Sequence, residues 1–566
     1  MILPSQEKNW LKFFDEEATK AEVPRRTIYE HLVLQNTGYE NYPALRYFNN
    51  VITYGSLIQN IQRCASAFEK LGVQKNEYVA VLSASIPEMV YCMYGLSKIG
   101  ATMLAIDPRR SRTEIRDFIQ KGKCRIIVVL DLAYEHISAA TEGLAIDYRI
   151  IVSASDSLNT VQRIWQRRKQ GRPSIPEQDG IRWWKDFISF GADRRSRTET
   201  YADDHVAAVT LTGGTTGTPK GVKISDTGFN AVALSFQYCG VPYNRSQKFM
   251  DIIPMFSSYG AVSSLHMPLS LGLELILIPK FDSEQGGKLI CRYRPEHTLM
   301  VPAHYEKMIG SREMRRGTDL SFFLTAGTGG DTMNLGAEEK VNQFLKDHGG
   351  KYPISQGYGL SENSSAVSCC CNGNFKSGSV GYPLLTVTVG IFRPGTAEEL
   401  DYDQEGEICV SGPTCMLGYL ENEEETEKVL LQHPDGQIWV HTGDIGVMDR
   451  EGFLFIRGRI KRTIARADGH KIYPAHIESV IGVHSDIVEC AVVGVSDRNH
   501  GQGMNAMAVL SLKEGCDEQK VIQEVRELCL QLEERARPEE IRTMEELPHT
   551  AMGKIDYEKI TVMVSR

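Results

Sequence analysis

Short apolar runs that alternate with helical segments constrain this chain more than any other feature. Residues 78 to 83 (YVAVLS) read as a strand. Residues 87 to 99 read as a helix, with apolar positions at Met89, Val90, Met93, Leu96 and Ile99 and a stop at Gly100. Residues 102 to 106 (TMLAI) and 125 to 130 (RIIVVL) are strands again. Parallel neighbours need a crossover, so strands separated by helices predict a mostly parallel sheet with both faces covered. From 206 to about 400 the alternation resumes, with strands expected at 206 to 211, 251 to 254, 273 to 278 and 322 to 325. A helix over 338 to 348 is closed by Gly349-Gly350. Residues 154 to 200, containing QRRKQGRPSIPEQDG, are polar and basic and are expected to be a surface excursion; the alternative is a docking patch for an acidic partner.

At 566 residues the chain exceeds a single core, so two to four domains are expected. After Arg459 the last hundred residues resemble a small α/β unit, with strands near 491 to 495 and 506 to 512 and a helix from 518 to about 535. The division is placed at 1–459 and 460–566. The net charge of −9 argues against nucleic acid as the main partner. No apolar run is long enough to span a bilayer, and the first residues, MILPSQEKNWLKFFDEE, lack the pattern of a secretory signal. The thirteen cysteines include no C-x-x-C pair, the run Cys369-Cys370-Cys371 has the wrong spacing for zinc, and H-E-x-x-H is absent. Reduced thiols in a cytoplasmic protein, with no protein-held transition metal, are the expectation.

Residues 212 to 221 read TGGTTGTPKG, straight after the strand at 206 to 211. Glycines let backbone amides converge on an anion, and a lysine adds a point charge, so the loop suits a polyphosphate. It is not a Walker loop, because Pro219 and Gly221 flank Lys220 where that motif needs glycine and Ser or Thr. A flexible linker is the other reading of the loop alone. Gln356-Gly-Tyr-Gly-Leu-Ser-Glu362 offers an aromatic face for a purine and a carboxylate for Mg²⁺, or simply a turn. Asn363 stands where the serine-hydrolase elbow G-x-S-x-G has its last glycine. Trp439-Val-His-Thr-Gly-Asp444 and the segment ending at Arg459 offer a carboxylate and a guanidinium to a ribose, or a hairpin with surface charges. Leu547-Pro-His-Thr-Ala-Met-Gly-Lys554 ends on a lysine after a glycine turn.

The order and spacing of these stretches, over nearly the whole chain, resemble the adenylate-forming enzymes: acyl-CoA synthetases, firefly luciferase and the adenylation domains of peptide synthetases. Residues 209 to 220 resemble that family's phosphate loop and residues 52 to 57 its T-Y-x-x-L signature. Residues 358 to 362 are similar to its Y-G-x-T-E motif, with Ser361 for Thr. Gly406 to Pro413 with Gly418-Tyr419, the T-G-D at 442 to 444, the G-R at 458 and 459 and the final G-K follow in the family's order.

The resemblance implies ATP and Mg²⁺ as cofactors, with CoA or an acyl-carrier protein accepting the acyl group of a small carboxylic acid. Thr212, Gly213, Gly214, Thr215, Thr216, Gly217 and Lys220 would hold the β- and γ-phosphates. Tyr358 would stack on adenine, Asp444 with Arg459 would fix the ribose, and Ser361 would donate to the α-phosphate. Glu362 would hold the metal, and Lys554 would bridge the substrate carboxylate and α-phosphate. A small mobile domain would turn about Lys461 between two half-reactions. Two departures stand out: residues 464 to 469 (IARADG) differ from the usual I-K-x-x-G, and Ser257 follows Phe256 where many members have histidine. Phe256 and Ser257 would flank the acyl pocket. Ser257 also fills the place of the aspartate that pairs with an α-ammonium, so the resemblance points to an acid without an α-amino group. A non-catalytic nucleotide-binding scaffold is the rival class.

Overall fold

The computed structural model describes residues 3–159, 175–193, 195–212, 219–315, 317–371, 373–466, 468, 470–496, 504–549 and 555–565. Two large α/β sheets carry the first four hundred residues. One has seven strands in the order Ile181–Trp183, Tyr148–Val152, Ile126–Leu130, Tyr78–Leu82, Thr102–Ala105, Val206–Leu211 and Gly221–Ser225. All its pairings are parallel except the last. The other has nine strands, running from Tyr382–Pro383 through Ser368–Cys369, Ser355–Tyr358, Thr325–Thr328, His297–Met300, Lys248–Asp251, Glu274–Leu277 and Pro43–Tyr47 to Asn50–Thr53.

The strands are apolar throughout because both faces are covered. Val79 and Val81 enter the core shared by the two sheets, while Ala80 and Leu82 pack on the outer face with Ile115 and Phe118. In the larger sheet Leu275 and Leu277 face the shared core and Ile276 the outer one. Helix Pro87–Lys98 is buried at all of its residues, since helix Tyr54–Lys70 and both sheets surround it. The T-Y-x-x-L signature is the start of helix Tyr54–Lys70, whose Thr53 side chain accepts from the Ser56 amide.

A third, antiparallel sheet joins Thr388–Phe392, Gly406–Ser411, Ile438–Met448, Leu430–Gln432 and Leu454–Arg459. Beyond it, strands Ile487–Ser496, Met504–Leu512 and Glu540–Met544 form a small sheet. Val492, Ala508 and Leu510 pack on one of its faces and Ala491, Val493 and Val509 on the other. The fold is thus α/β, with a large N-terminal body of mostly parallel sheets and covering helices and a smaller C-terminal unit.

Several expectations need correction. Part of the segment at 154 to 200 is built into the fold: Ile181–Trp183 adds an edge strand, Trp184 and Phe187 are buried, and Arg197 donates to the Ile99 carbonyl at 2.9 Å. The polar, basic run earlier in the segment masks the apolar stretch 181–190 (IRWWKDFISF), which forms an edge strand and a helix packed on helix Tyr54–Lys70 through Phe187 and Phe68. The strand expected at 251 to 254 lies three residues earlier, at Lys248–Asp251. The one expected at 322 to 325 is displaced to Thr325–Thr328, because Phe323 plugs the outer core instead of joining the ladder. Helix Leu335–Asp347 starts earlier than expected, at an Asn334 cap. Helix Glu518–Leu528 ends sooner, in 3₁₀ turns at Cys529–Gln531 and Glu534–Ala536. All thirteen cysteines are free. Among the described residues, no helix is long and apolar enough to cross a membrane.

Candidate active site

Two paired strands flank the glycine-rich stretch. Val206–Leu211 and Gly221–Ser225 pair antiparallel, with Leu211 opposite Gly221. The Thr212 amide donates to the Lys220 carbonyl at 2.9 Å, and the Lys220 amide returns a 2.9 Å bond to Thr212 Oγ1. Arg110 braces the base from below, donating to the Thr212 carbonyl at 3.3 Å. Gly213, Gly214, Thr215, Thr216 and Gly217 lie outside the described residues, as does Lys554.

The Lys220 ammonium is ion-paired to Glu425 and lies 4.8 Å from the centre of the Tyr419 ring. Tyr419 in turn donates its hydroxyl to Glu362 Oε1 at 2.7 Å. One aromatic residue thus links the loop lysine to the carboxylate expected to hold the metal. Lys220 and Lys428 together hold the Glu425 carboxyl well below its usual range, at about 2.

Tyr358, Asp444 and Arg459 come together from separate sheets. Tyr358 ends its strand and donates its hydroxyl to Asp444 Oδ2 at 2.7 Å. Asp444 and Arg459 are cross-strand partners, and Arg459 Nε meets Asp444 Oδ1 at 2.7 Å. Burial raises the Asp444 pKa in spite of that guanidinium, and burial likewise raises the Tyr358 phenol. The expected T-G turn is instead an irregularity inside strand Ile438–Met448, with Gly443 at φ 71°, and it is held from behind. The Gly443 amide donates to Glu407 Oε1 at 3.0 Å, and Glu407 Oε2 meets His441 Nδ1 at 3.0 Å. The His441 ring then meets His433, Nε2 to Nε2, at 2.9 Å. Glu407 and His441 sit inside the quoted stretches; His433 lies eight residues before His441 and outside the quoted stretch, and Glu425 acts through Lys220, which is remote along the chain. Cys409 lies with Glu407 and His441 in a buried group whose ligand atoms fall within 4.8 Å of one another.

The turn after Tyr358 needs its glycine: a Cβ on Gly359 would sit 1.6 Å from the Ser365 carbonyl oxygen. That close fold brings Ser361 Oγ to 2.9 Å from Ser258 Oγ, the residue after Ser257. Ser257 itself is engaged locally, donating to the Pro254 carbonyl at 2.8 Å and accepting from the Gly260 amide at 3.1 Å. It lies just ahead of the wide helix Tyr259–His266, of a kind frequent near functional sites. Phe256 is buried, with the Arg109 guanidinium 5.8 Å from its ring centre. Lys461 lies in the 3₁₀ turn Ile460–Arg462, directly after Arg459, with its side chain exposed.

The structure thus brings together a strand-end aromatic with a paired carboxylate and guanidinium, and places the lysine that ends the glycine-rich stretch against Glu425 and Tyr419. The chain belongs to the AMP-binding enzyme family: the family's main model matches residues 33–420, and the model for its C-terminal domain matches residues 476–554. Among curated proteins it is 28% identical to a long-chain-fatty-acid–CoA ligase of Bacillus subtilis (strain 168), over 97% of both chains. It is 27% identical to a probable 4-coumarate–CoA ligase of Dictyostelium discoideum, over 82% of this chain and 81% of that one. Among solved structures it superposes on the anthranilate CoA ligase AuaEII in complex with anthranoyl-AMP, with a TM-score of 0.81, 20% identity and coverage of 96% and 98% of the two chains. ATP-bound MatB from Rhodopseudomonas palustris gives 0.79, 21% identity and coverage of 95% and 99%. At that identity the structural likeness speaks for the fold.

Proposed function

We propose that this protein is an AMP-forming ligase that activates a carboxylic acid with ATP and passes the acyl group to CoA. The observation that carries the reading is the meeting of Tyr358, Asp444 and Arg459 beside the Ser361–Asn363 turn. Full-length alignment with curated CoA ligases supports it.

In the first half-reaction a carboxylate oxygen bonds to the α-phosphorus of ATP as its bond to the bridging oxygen breaks, giving acyl-adenylate and pyrophosphate. In the second, the CoA sulfur bonds to the acyl carbon, the acyl–phosphate bond breaks and AMP leaves; the thiol proton passes to solvent. A carboxylate approaching a polyanion is repelled, so fixed cations must neutralise the developing charge. Lys554 takes that role at the α-phosphate and Lys220, with residues 212 to 217, at the β- and γ-phosphates. Ser361 donates to the α-phosphate, Tyr358 stacks on adenine, and Asp444 with Arg459 holds the ribose. Glu362 suits Mg²⁺, a hard cation: Tyr419 fixes one carboxylate oxygen and leaves the other. Bound there, Mg²⁺ supplies positive charge to the phosphates.

The small domain is taken to begin at residue 460 and to turn at Lys461. Two ion pairs bracket that point. Arg459 is tied to Asp444, and Arg462 to Glu478 at 2.6 Å, with its guanidinium also 3.5 Å from the Tyr557 ring centre. Ile460 and Lys461 lie between the two anchors. The substrate is read as an acid without an α-amino group, because Ser257 supplies no charge for an ammonium. Thirteen unbridged cysteines favour a cytoplasmic setting.

The test is pyrophosphate release from ATP and Mg²⁺ across a panel of carboxylic acids, with and without CoA. Release must depend on an acid, accelerate with CoA and fall at least a hundredfold in Lys554→Ala. Acid-dependent release that ignores CoA would overturn CoA as acceptor. Equal release with Lys554→Ala would overturn the mechanism.

A further inference from the structure

The Lys248–Asp251 strand ends on an aspartate that the reaction above does not use. Asp251 is 0% exposed, and apart from the Ile253 amide, which approaches it without good hydrogen-bond geometry, its carboxylate oxygens have no partner among the described residues. Burial pushes its pKa well above the ordinary carboxylate value, although the Ile253 amide two residues on favours the charged form. A buried polar group left unpaired is costly, and at a strand end between Leu277 and Leu299 an aliphatic side chain would carry no such cost.

The register fixes which way the carboxyl faces. Register partners in a parallel sheet share a face. Leu277 and Leu299, the partners of Asp251 on either side, belong to the core shared by the two sheets, and so does Phe256. Met250, Ile276 and Met300 belong to the opposite core. Asp251 therefore faces the core shared by the two sheets, to which Phe256 also belongs. The partner beyond Leu299 is Gly327, where a Cβ would lie 2.4 Å from Leu299 Cδ2. These residues form a row near the carboxyl ends of the strands, where open α/β sheets take ligands. Tyr358 ends a strand three places along the sheet from Asp251, which is about 14 Å at the usual strand spacing.

We propose that Asp251 is a specificity-determining residue of the acyl pocket, and that the acid activated here carries a neutral hydroxyl in its acyl part, on the order of 10 Å from the reacting carboxyl. The inference rests on the ligase reading and on Phe256 as part of the pocket. A neutral carboxyl donates one hydrogen bond and accepts another, so it can satisfy a hydroxyl in both directions. A plain hydrocarbon at the same place leaves it unpaired. Sites built to bond a substrate hydroxyl discriminate strongly against the analogue that lacks it, because the orphaned protein group adds to the penalty.

The test uses matched acids. Decanoic and dodecanoic acids are compared with their monohydroxy isomers from carbon 2 to the chain end, and cinnamic acid with its ring-hydroxylated forms. Pyrophosphate release gives kcat/KM for wild type, Asp251→Leu and Asp251→Ala; the alanine adds no bulk and serves if the leucine fails to fold. The expected result is a preference of tenfold or more for one hydroxyl position, reduced to within about twofold in the variants. The variants should melt no lower than wild type, since they remove an orphaned polar group. Equal turnover of plain and hydroxylated acids by wild type would overturn the proposal. So would a preference that survives in Asp251→Ala, a lowered melting temperature with specificity intact, or an amino-substituted acid that outcompetes every hydroxy acid. If no acid releases pyrophosphate, the ligase reading falls separately. The pocket is then judged by thermal shift with the same pairs, where the hydroxylated member must stabilise wild type and not Asp251→Ala.

Discussion

Replacing Glu425 by glutamine should tighten ATP binding. In the described state the Lys220 ammonium is shared between the Glu425 carboxylate and the Tyr419 ring. Lys220 reaches a triphosphate only by giving up part of that pairing. The two side chains are 26% and 32% exposed, so the pair belongs with partly solvated bridges worth roughly 0.5–1 kcal/mol. Removing the carboxylate also removes its repulsion toward the phosphates, about 1 kcal/mol at 4 Å in water. Both effects have the same sign, and their sum of about 1.5–2 kcal/mol lowers KM for ATP by about ten- to thirtyfold with kcat unchanged. Glu425 is held near pKa 2, below its ordinary value, so its charge is present above that value and lost only as pH falls through about 2. The effect should therefore be flat from pH 6 to 9. Steady-state pyrophosphate release against ATP concentration, with Lys220→Ala as control, provides the measurement. A KM that stays put or rises would refute the argument, since it would mean that Glu425 aims Lys220 at the phosphates instead of withholding it.

Two further outcomes test other parts of the molecule. Tyr358→Phe keeps the ring but removes the 2.7 Å bond to the buried Asp444 carboxylate and, at about 1.5–3 kcal/mol for a bond to a charged group, should cost ten- to a hundredfold in kcat/KM for ATP; a loss under twofold would mean that this bond does not position Asp444 for the ribose. His297 is fully buried, its pKa lowered by desolvation to about 3, and it bonds only to neutral partners at Thr325 and Gln247. Because the unfolded chain takes up that proton first, stability is complete above the ordinary histidine value of 6.5 and drains away as pH falls toward 3. Urea unfolding at pH 7.5 and 5.0 should therefore show wild type losing about 2 kcal/mol more than His297→Gln, and equal losses would contradict the assignment.

Much of this protein was legible before any contact was known, because the information was local. A strand covered on both faces must be apolar along its whole length, so 78 to 82 and 126 to 130 declared themselves as parallel strands. The glycine-rich loop and the Y-G-L-S-E turn carry chemistry in consecutive residues, and the reason for Gly359 lies six residues away, at Ser365. Where packing outweighed pattern, the sequence misled: residues 322 to 325 look like a strand, yet Phe323 is spent on the core and the ladder starts at Thr325. The segment 154 to 200 looks like a surface excursion from its polar run, yet its apolar stretch at 181 to 190 adds to the fold an edge strand and a helix that buries Trp184 and Phe187. The sequence by itself determined the α/β class, the smaller C-terminal unit, and the order of the glycine-rich, Y-G-L-S-E and T-G-D stretches. Only the tertiary structure decided that Glu425 meets Lys220 and that His433 reaches Asp444 through His441, Glu407 and Gly443. It alone turned Asp251 toward the shared core to which Phe256 also belongs. Periodicity records which face of an element is apolar; which polar groups meet, and which are left without a partner, depends on register and on segments hundreds of residues apart.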